Sequence, residues 1–317
     1  MKKISCLLLS LCICLGMLAG CGDKPANSES SRADSAVSPS SEAPKKQAVN
    51  PLTGKPLVSE SAQGKRPVSV MVSNIKQALP QSGLSSADIC YEALAEGGIT
   101  RIMAVFSDYT QLPKTGPVRS ARDYYLQLAP AGYHLRQFRH QLYCSGYDPS
   151  KNVDNIDGMY YSALTFAQDQ QRPPPVDAST AYIDAEGLQK AIDKAKIDTD
   201  QATALQPVFK FRDYEEEPVQ PQQMVANRVS VGFSYYNTSE FTYNSGKYFK
   251  SQFGEAQIDE NTGSQISFEN VVVLFAGTSN VQNSVLLQMD LNGGSGYYIS
   301  AGGAEEINWK KGKYETQ

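Results

Sequence analysis

What limits this chain most is the place where its first apolar run stops. Lys2 and Lys3 precede an apolar stretch over residues 4–19, broken only by small residues, that closes on Leu18-Ala19-Gly20-Cys21. A basic start followed by a short apolar segment is the pattern of a secretory signal peptide, and it is short for a stable membrane span. The closing tetrapeptide has the form of a bacterial lipobox, in which small side chains fit the signal peptidase and the cysteine thiol receives the lipid. Residues 1–20 are expected to be removed and Cys21 to carry the acyl chains, each buried methylene contributing ~0.8 kcal/mol to membrane attachment. Residues 21–50 are rich in Ser, Ala, Pro and charge and have no apolar periodicity. Such a segment buries too little surface to offset its ordering entropy. It is expected to be a tether spanning roughly 30 Å, on a scaling of ~5–6 Å × √n. No other run is long or apolar enough to span a bilayer. The expected location is the extracytoplasmic face of the cell membrane, with the lipid as anchor.

Everything that packs must therefore come from residues 51–317, enough for about two domains. The whole chain has 29 Lys+Arg against 33 Asp+Glu, a net charge of −4. Loss of Lys2 and Lys3 takes −4 to −6, which gives no bulk attraction to nucleic acid. Of the six cysteines, Cys6, Cys12 and Cys14 leave with the signal and Cys21 is lipidated. Cys90 and Cys144 remain. Outside the membrane they are candidates for a disulfide; the alternative is two buried thiols acting as small core hydrophobes.

The pattern is that of an α+β protein. Residues 67–72 and 102–106 are nearly continuous apolar runs, as expected of strands buried on both faces, and residues 89–95 alternate. Residues 120–128 are expected to be helical. So are residues 184–197, where Leu188, Ala191, Ile192 and Ala195 fall at i, i+3, i+4 and i+7. A Glu215-Glu216-Glu217-Pro218 run followed by a Gln/Pro cluster reads as a linker. Short β-like segments follow at 229–236, 241–243, 271–275, 285–291 and 297–300. The expected organisation is an α+β domain over 51–212 and a mostly β domain over 213–317.

The common catalytic signatures are missing: the sequence contains no Gly-x-Ser-x-Gly elbow, Walker loop, His-Glu-x-x-His or Cys-x-x-Cys. No cofactor motif and no metal-ligand spacing stands out. His134 and His140 lie in a basic stretch with Arg136 and Arg139, and a Cys144–His140 pair is a possible nucleophile; exposed histidines and a structural thiol are the plainer reading. Gly293-Gly294-Ser295-Gly296 reads as a hairpin turn rather than a phosphate loop. The densest polar region holds Glu92, Glu96, Gly97, Gly98, Arg101, Arg119 and Arg122 within 31 residues. Gly97-Gly98 permits positive φ and close backbone approach. Arg119 and Arg122, three apart at an expected helix start, can converge on one face, and their forks suit a carboxylate or phosphate. The competing reading is a structural salt-bridge network in which Glu92 and Glu96 neutralise the arginines.

These residues resemble the YerB-like lipoproteins, a Firmicute family of unknown function also catalogued as a domain of unknown function. The first block of similarity comprises Asn50-Pro51-Leu52-Thr53-Gly54, Arg66-Pro67-Val68, Pro80-Gln81-Ser82-Gly83-Leu84, Asp88-Ile89, the stretch from Glu92 to Arg101, and the stretch from Gly116 to Arg122. The second comprises Phe253-Gly254-Glu255, Ile258-Asp259, Thr262-Gly263, Asn270-Val271-Val272-Val273, Gly296-Tyr297-Tyr298-Ile299-Ser300 and Trp309-Lys310-Lys311. The resemblance implies two different α/β subdomains and carries no established activity. It also exposes departures. Family members often have a His where this chain has Tyr143-Cys144, and Pro-His-Asn where it has Pro175-Val176-Asp177. They tend to continue past the Trp-Lys block, so the last edge of this chain is expected to be incomplete. The functional expectation is a non-catalytic binding or scaffold module. Its ligand would be an anionic envelope component or a partner protein, gripped by Arg101, Arg119, Arg122, Glu96, Gly97 and Gly98. The alternative is an envelope hydrolase or transferase using Cys144 or the Glu92 and Glu96 carboxylates.

Overall fold

The two continuous apolar runs become the centre of a sheet. The computed structural model describes residues 48–57, 59–128, 142–144, 155, 156, 167, 168, 181–200 and 210–310. Strands β1 (Val68–Asn74), β2 (Ile89–Leu94), β3 (Thr100–Phe106), β4 (Leu142–Cys144) and β5 (Asn155–Ile156) lie in the order β2-β3-β1-β4-β5. Every residue of β1 and β3 is buried. One face of this pair packs Val70, Val72, Ile102 and Ala104 against Leu188 and Ile192. The other packs Met71, Met103 and Val105 against Tyr124 and Tyr125. Burial on both faces is why these strands read as unbroken apolar runs.

Among the described residues two helices cover the sheet. The first, α1 (Asp123–Leu128), is shorter than its sequence predicts. Residues 117–119 instead run along β1, with the Ser73 N–H donating to Pro117 O and the Arg119 N–H donating to Met71 O. These pairings hold the chain extended until Ser120. Strands β6 (Ala167–Gln168) and β7 (Ala181–Tyr182) form a small antiparallel pair. Helix α2 (Ala185–Ala195) then matches its periodicity: Leu188, Ala191 and Ile192 are buried, and the Asp184 carboxylate caps the Gly187 N–H at 2.8 Å.

The C-terminal region is two facing sheets. Strands β8 (Met224–Val225), β9 (Arg228–Ser234), β10 (Asn237–Asn244), β11 (Lys247–Gln252), β12 (Glu255–Ala256) and β13 (Ser267–Phe268) are followed by β14 (Asn270–Leu274), β15 (Thr278–Asn280), β16 (Leu287–Met289), β17 (Gly293–Ser300) and β18 (Gly303–Lys310). One sheet runs β12-β11-β10-β9 with β13 on β11; the other runs β14-β17-β18-β8; β15 and β16 form a hairpin. Phe241 and Tyr248 from the first meet Val271, Ile299 and Ala304 from the second. Both cores of the N-terminal domain also reach into this region. Ile266 joins one, and Leu291, with Leu287, Met289 and Trp309 packed beside it, joins the other.

Gly293-Gly294-Ser295-Gly296 is not a turn but the first half of β17. A Cβ on Gly294 would lie 2.4 Å from Phe275 O, and one on Gly296 would lie 2.1 Å from Val273 O. The glycines let β14 and β17 close their ladder. We expect Gly296→Ala to cost about 1–3 kcal/mol, read as a lowered denaturant midpoint at unchanged slope.

Candidate functional site

Glu96 organises the arginine cluster. It sits in a short 3-10 turn between β2 and β3, and its carboxylate grips Arg122 bidentately, with Nε–Oε1 and Nη2–Oε2 both 2.6 Å. Oε1 also accepts the Leu287 N–H at 3.2 Å, so the β15–β16 hairpin is drawn into the cluster. Arg101 projects from β3, is 5% exposed, donates to Ser120 O and stands 3.9 Å from Glu96. Arg119 lies in extended backbone rather than on a helix, which removes the helical-spacing argument for it; it nonetheless lies near enough for its charge to act on Arg101. Glu96, Arg101 and Arg122 thus lie together, with Glu96 capping Arg122.

Burial alone would raise the Glu96 carboxyl, but the Arg122 hydrogen bonds and the Leu287 N–H outweigh it and hold it at about 2. A folded-state pKa below the unfolded value near 4.5 means that the ion pair stabilises fully above that value and is lost as pH falls toward about 2. Glu96→Gln is therefore expected to flatten the acid limb of stability between about pH 4.5 and 2, measured by urea unfolding at several pH values.

Next to Gly97, Gly98 lies against the C-terminal domain. Both have positive φ, 67° and 73°. A Cβ on Gly98 would meet the Tyr236 hydroxyl at 2.7 Å, and Ser234 Oγ donates to Gly98 O at 2.7 Å.

Glu92 occupies a different cluster, one the sequence reading did not assemble. Its carboxylate accepts from Asn74 Nδ2 (2.8 Å), Thr100 Oγ1 (2.8 Å) and Ser239 Oγ (2.8 Å), and lies 3.3 Å from Lys250 Nζ. Lys250 Nζ also donates to Gln252 Oε1 (2.8 Å) and Gln257 Oε1 (2.6 Å). Asn74 Oδ1 accepts from Gln81 and Gln257, while Gln252 Nε2 donates to Asn237 Oδ1. Asn74, Gln81, Thr100, Asn237, Ser239, Lys250, Gln252 and Gln257 are all at most 3% exposed. Asn74, Gln81, Glu92 and Thr100 come from the N-terminal domain and the others from the C-terminal one. Burial pulls the Lys250 ammonium below its usual range, and Glu92 opposes that shift. None of these side chains has a buried polar atom without a partner.

A second contact continues the seam. Asp259, fully buried, accepts the N–H groups of Gly83 (3.2 Å) and Ser85 (2.7 Å). The Glu260 N–H donates to Gln81 O, and Ser82 Oγ donates to Glu260 Oε2 at 2.5 Å. The Pro80-Gln81-Ser82-Gly83-Leu84 and Ile258-Asp259 motifs therefore recognise each other.

Cys90 is a free thiol, pushed up to about 12 by burial despite the nearby Lys250 charge. Its candidate pairing with Cys144 fails on register. Cys90 is opposite Ala104, Ala104 opposite Val70, and Val70 opposite Cys144. Three strand spacings of ~4.8 Å separate the two backbones, beyond the ~7 Å limit for a disulfide. Cys21, His134, His140 and Pro175-Val176-Asp177 lie outside the described residues. Among the described residues no group of three or more His, Cys, Asp or Glu is placed to hold a metal ion, and no helix is long and apolar enough to cross a membrane.

Known proteins resemble this chain in sequence and fold. The N-terminal domain model of a protein of unknown function, DUF3048, matches residues 52–198, and its C-terminal domain model matches residues 229–317. The YerB lipoprotein of Bacillus subtilis (strain 168) is 31% identical over 273 residues, 82% of this chain and 77% of the relative. The crystal structure of Bacillus subtilis YerB matches with a TM-score of 0.67 at 28% identity, covering 83% of this chain and 87% of that one. The chain therefore belongs to the DUF3048 family of YerB-like lipoproteins, two-domain proteins of unknown function whose signature residues here meet across one buried seam.

Proposed function

We propose that this protein is a lipid-anchored module on the extracytoplasmic face of the membrane, and that it binds or scaffolds rather than transforms. Cys21 is the acylated residue, residues 21–50 are the tether, and residues 51–212 and 213–317 are the two domains. Its ligand is an anionic envelope component or a partner protein, and the arginine cluster is the grip. The observation that carries this reading is that the two carboxylates available for acid–base work are each already engaged. Glu92 is engaged by Lys250, Asn74, Thr100 and Ser239, and Glu96 by Arg122 and Leu287. Carboxylates committed in this way, in two separate clusters, are poor candidates for a general acid–base pair. The family relative being a lipoprotein supports the anchor.

Two measurements test it. Alkyne-palmitate feeding should label the wild-type chain and leave Cys21→Ala unlabelled with its signal segment retained; an unlabelled wild type contradicts the anchor. Incubation with peptidoglycan fragments across pH 5–8, read by mass spectrometry, should show retention without new products. New products lost in Cys144→Ser would establish the hydrolase or transferase instead.

A further inference from the structure

In the middle of the seam an amine and a carboxamide meet beside a carboxylate, nearly out of reach of water. Lys250 on β11 is 3% exposed, and Gln257, just past β12, is 1% exposed. The Gln257 N–H donates to Lys250 O at 3.1 Å, so the two residues stand side by side on adjoining segments. Their side chains meet end to end, with Lys250 Nζ 2.6 Å from Gln257 Oε1. A carbonyl bond of ~1.23 Å then puts Gln257 Cδ at most ~3.8 Å from Nζ, close to the ~3–3.5 Å of a near-attack contact. Glu92 Oε2 lies 3.3 Å from the same Nζ, and the Phe241 ring centroid lies 6.0 Å from it. The Gln257 amide nitrogen donates to Gln81 Oε1 (2.9 Å) and Asn74 Oδ1 (3.2 Å), which fixes the carboxamide in place. Gln252 is the other carboxamide on Nζ, but its oxygen is shared with Asn74 Nδ2 at 2.9 Å. The Gln257 oxygen has no second donor among the described residues.

We propose that Lys250 and Gln257 join through a side-chain amide bond, with Glu92 as the proton acceptor. The ion pair of Lys250 and Glu92 is the state into which the chain folds and the start of the reaction. Glu92 takes one proton from the ammonium. The freed Nζ lone pair adds to Gln257 Cδ, a second Nζ proton passes to Nε2, the Cδ–Nε2 bond breaks and ammonia leaves. No oxidant or further reactant is needed. Ion pair and carboxamide become an amide, a neutral Glu92 carboxyl and ammonia, so no charge is stranded in the seam. Contact imposed by the fold stands in for concentration, worth roughly 10⁵–10⁸ M in well-oriented cases. Burial also acts twice. It pulls the Lys250 ammonium below its usual range, easing the first proton transfer, and it keeps out the water that would hydrolyse the product. The reaction is internal to the fold and stands apart from the binding reading above.

The experiment is peptide mapping of the purified full-length chain, unfolded and cut with trypsin and a glutamate-specific protease. In an unreacted chain trypsin cuts after Lys250, and the second protease parts Glu255 from Ala256. The amide blocks the first cut and bridges the second. Residues 248–255 and 256–260 should therefore stay joined as one branched peptide, lighter by one ammonia than the two pieces together. Glu92→Gln keeps the shape of the side chain but cannot take the proton, and should slow formation on the order of a hundredfold. Lys250→Arg keeps the charge and should form no branch. A cooperatively folded wild type that yields only the separate, unbranched pieces overturns the proposal. Loss of ammonia confined to residues 248–255 would place the bond at Gln252 and overturn the assignment to Gln257. Equal rates in wild type and Glu92→Gln would overturn the part given to Glu92.

Discussion

Lys250→Ala should destabilise the protein by about 3–5 kcal/mol, because it leaves the Glu92 carboxylate buried without its cation. At ~2–4 °C per kcal/mol this lowers the melting temperature by roughly 6–20 °C. Gln252 and Gln257 lose their shared donor in the same step. The cost belongs to the unpaired charge more than to the pair. Lys250→Met combined with Glu92→Gln removes both charges and should recover a large part of the loss. Calorimetry of the wild type, Lys250→Met, Glu92→Gln and the double variant gives the coupling. Losses that simply add would show that Lys250 and Glu92 act independently, against the 3.3 Å contact.

Asp259→Ala should cost about 2–4 kcal/mol by a different route. Its carboxylate satisfies two backbone donors of the opposite domain, Gly83 and Ser85, as well as the Asn261 N–H. Gly83 is left-handed, with φ of 86°, and a Cβ there would lie 2.4 Å from Thr115 Oγ1, so that loop has little freedom to find new partners. Asp259→Asn keeps one acceptor and should lose about half as much. Hydrogen exchange at Gly83 and Ser85 reads the effect directly: both amides should speed up in Asp259→Ala while those of β3 hold their protection longer.

The parts of this fold that the sequence displayed are those whose burial is local. Val68, Val70 and Val72 advertise a strand covered on both faces, and Leu188, Ala191 and Ile192 advertise one helical stripe. The arginine cluster was legible in part, since Glu96 and Arg122 are near in sequence and opposite in charge. Strand β11 was not legible, because of its three inward residues only Tyr248 is apolar and the other two, Lys250 and Gln252, are polar. Their burial makes sense only beside Asn74 and Glu92, more than 150 residues earlier. The same holds for Gly294 and Gly296, where a missing side chain marks a carbonyl from a strand about twenty residues away. Tyr235 shows the reverse error: the alternation of β9 extends to it on paper, yet it stands fully exposed in the turn.

The central claim is that the seam makes the two domains unfold as one. Trp309, the single tryptophan, reports from β18 and Cys90 from β2. Denaturant unfolding followed by Trp309 fluorescence and by Cys90 alkylation, each site read by peptide mapping, should give coincident midpoints in the wild type, and midpoints that separate in Lys250→Ala. Separate midpoints in the wild type would contradict the account.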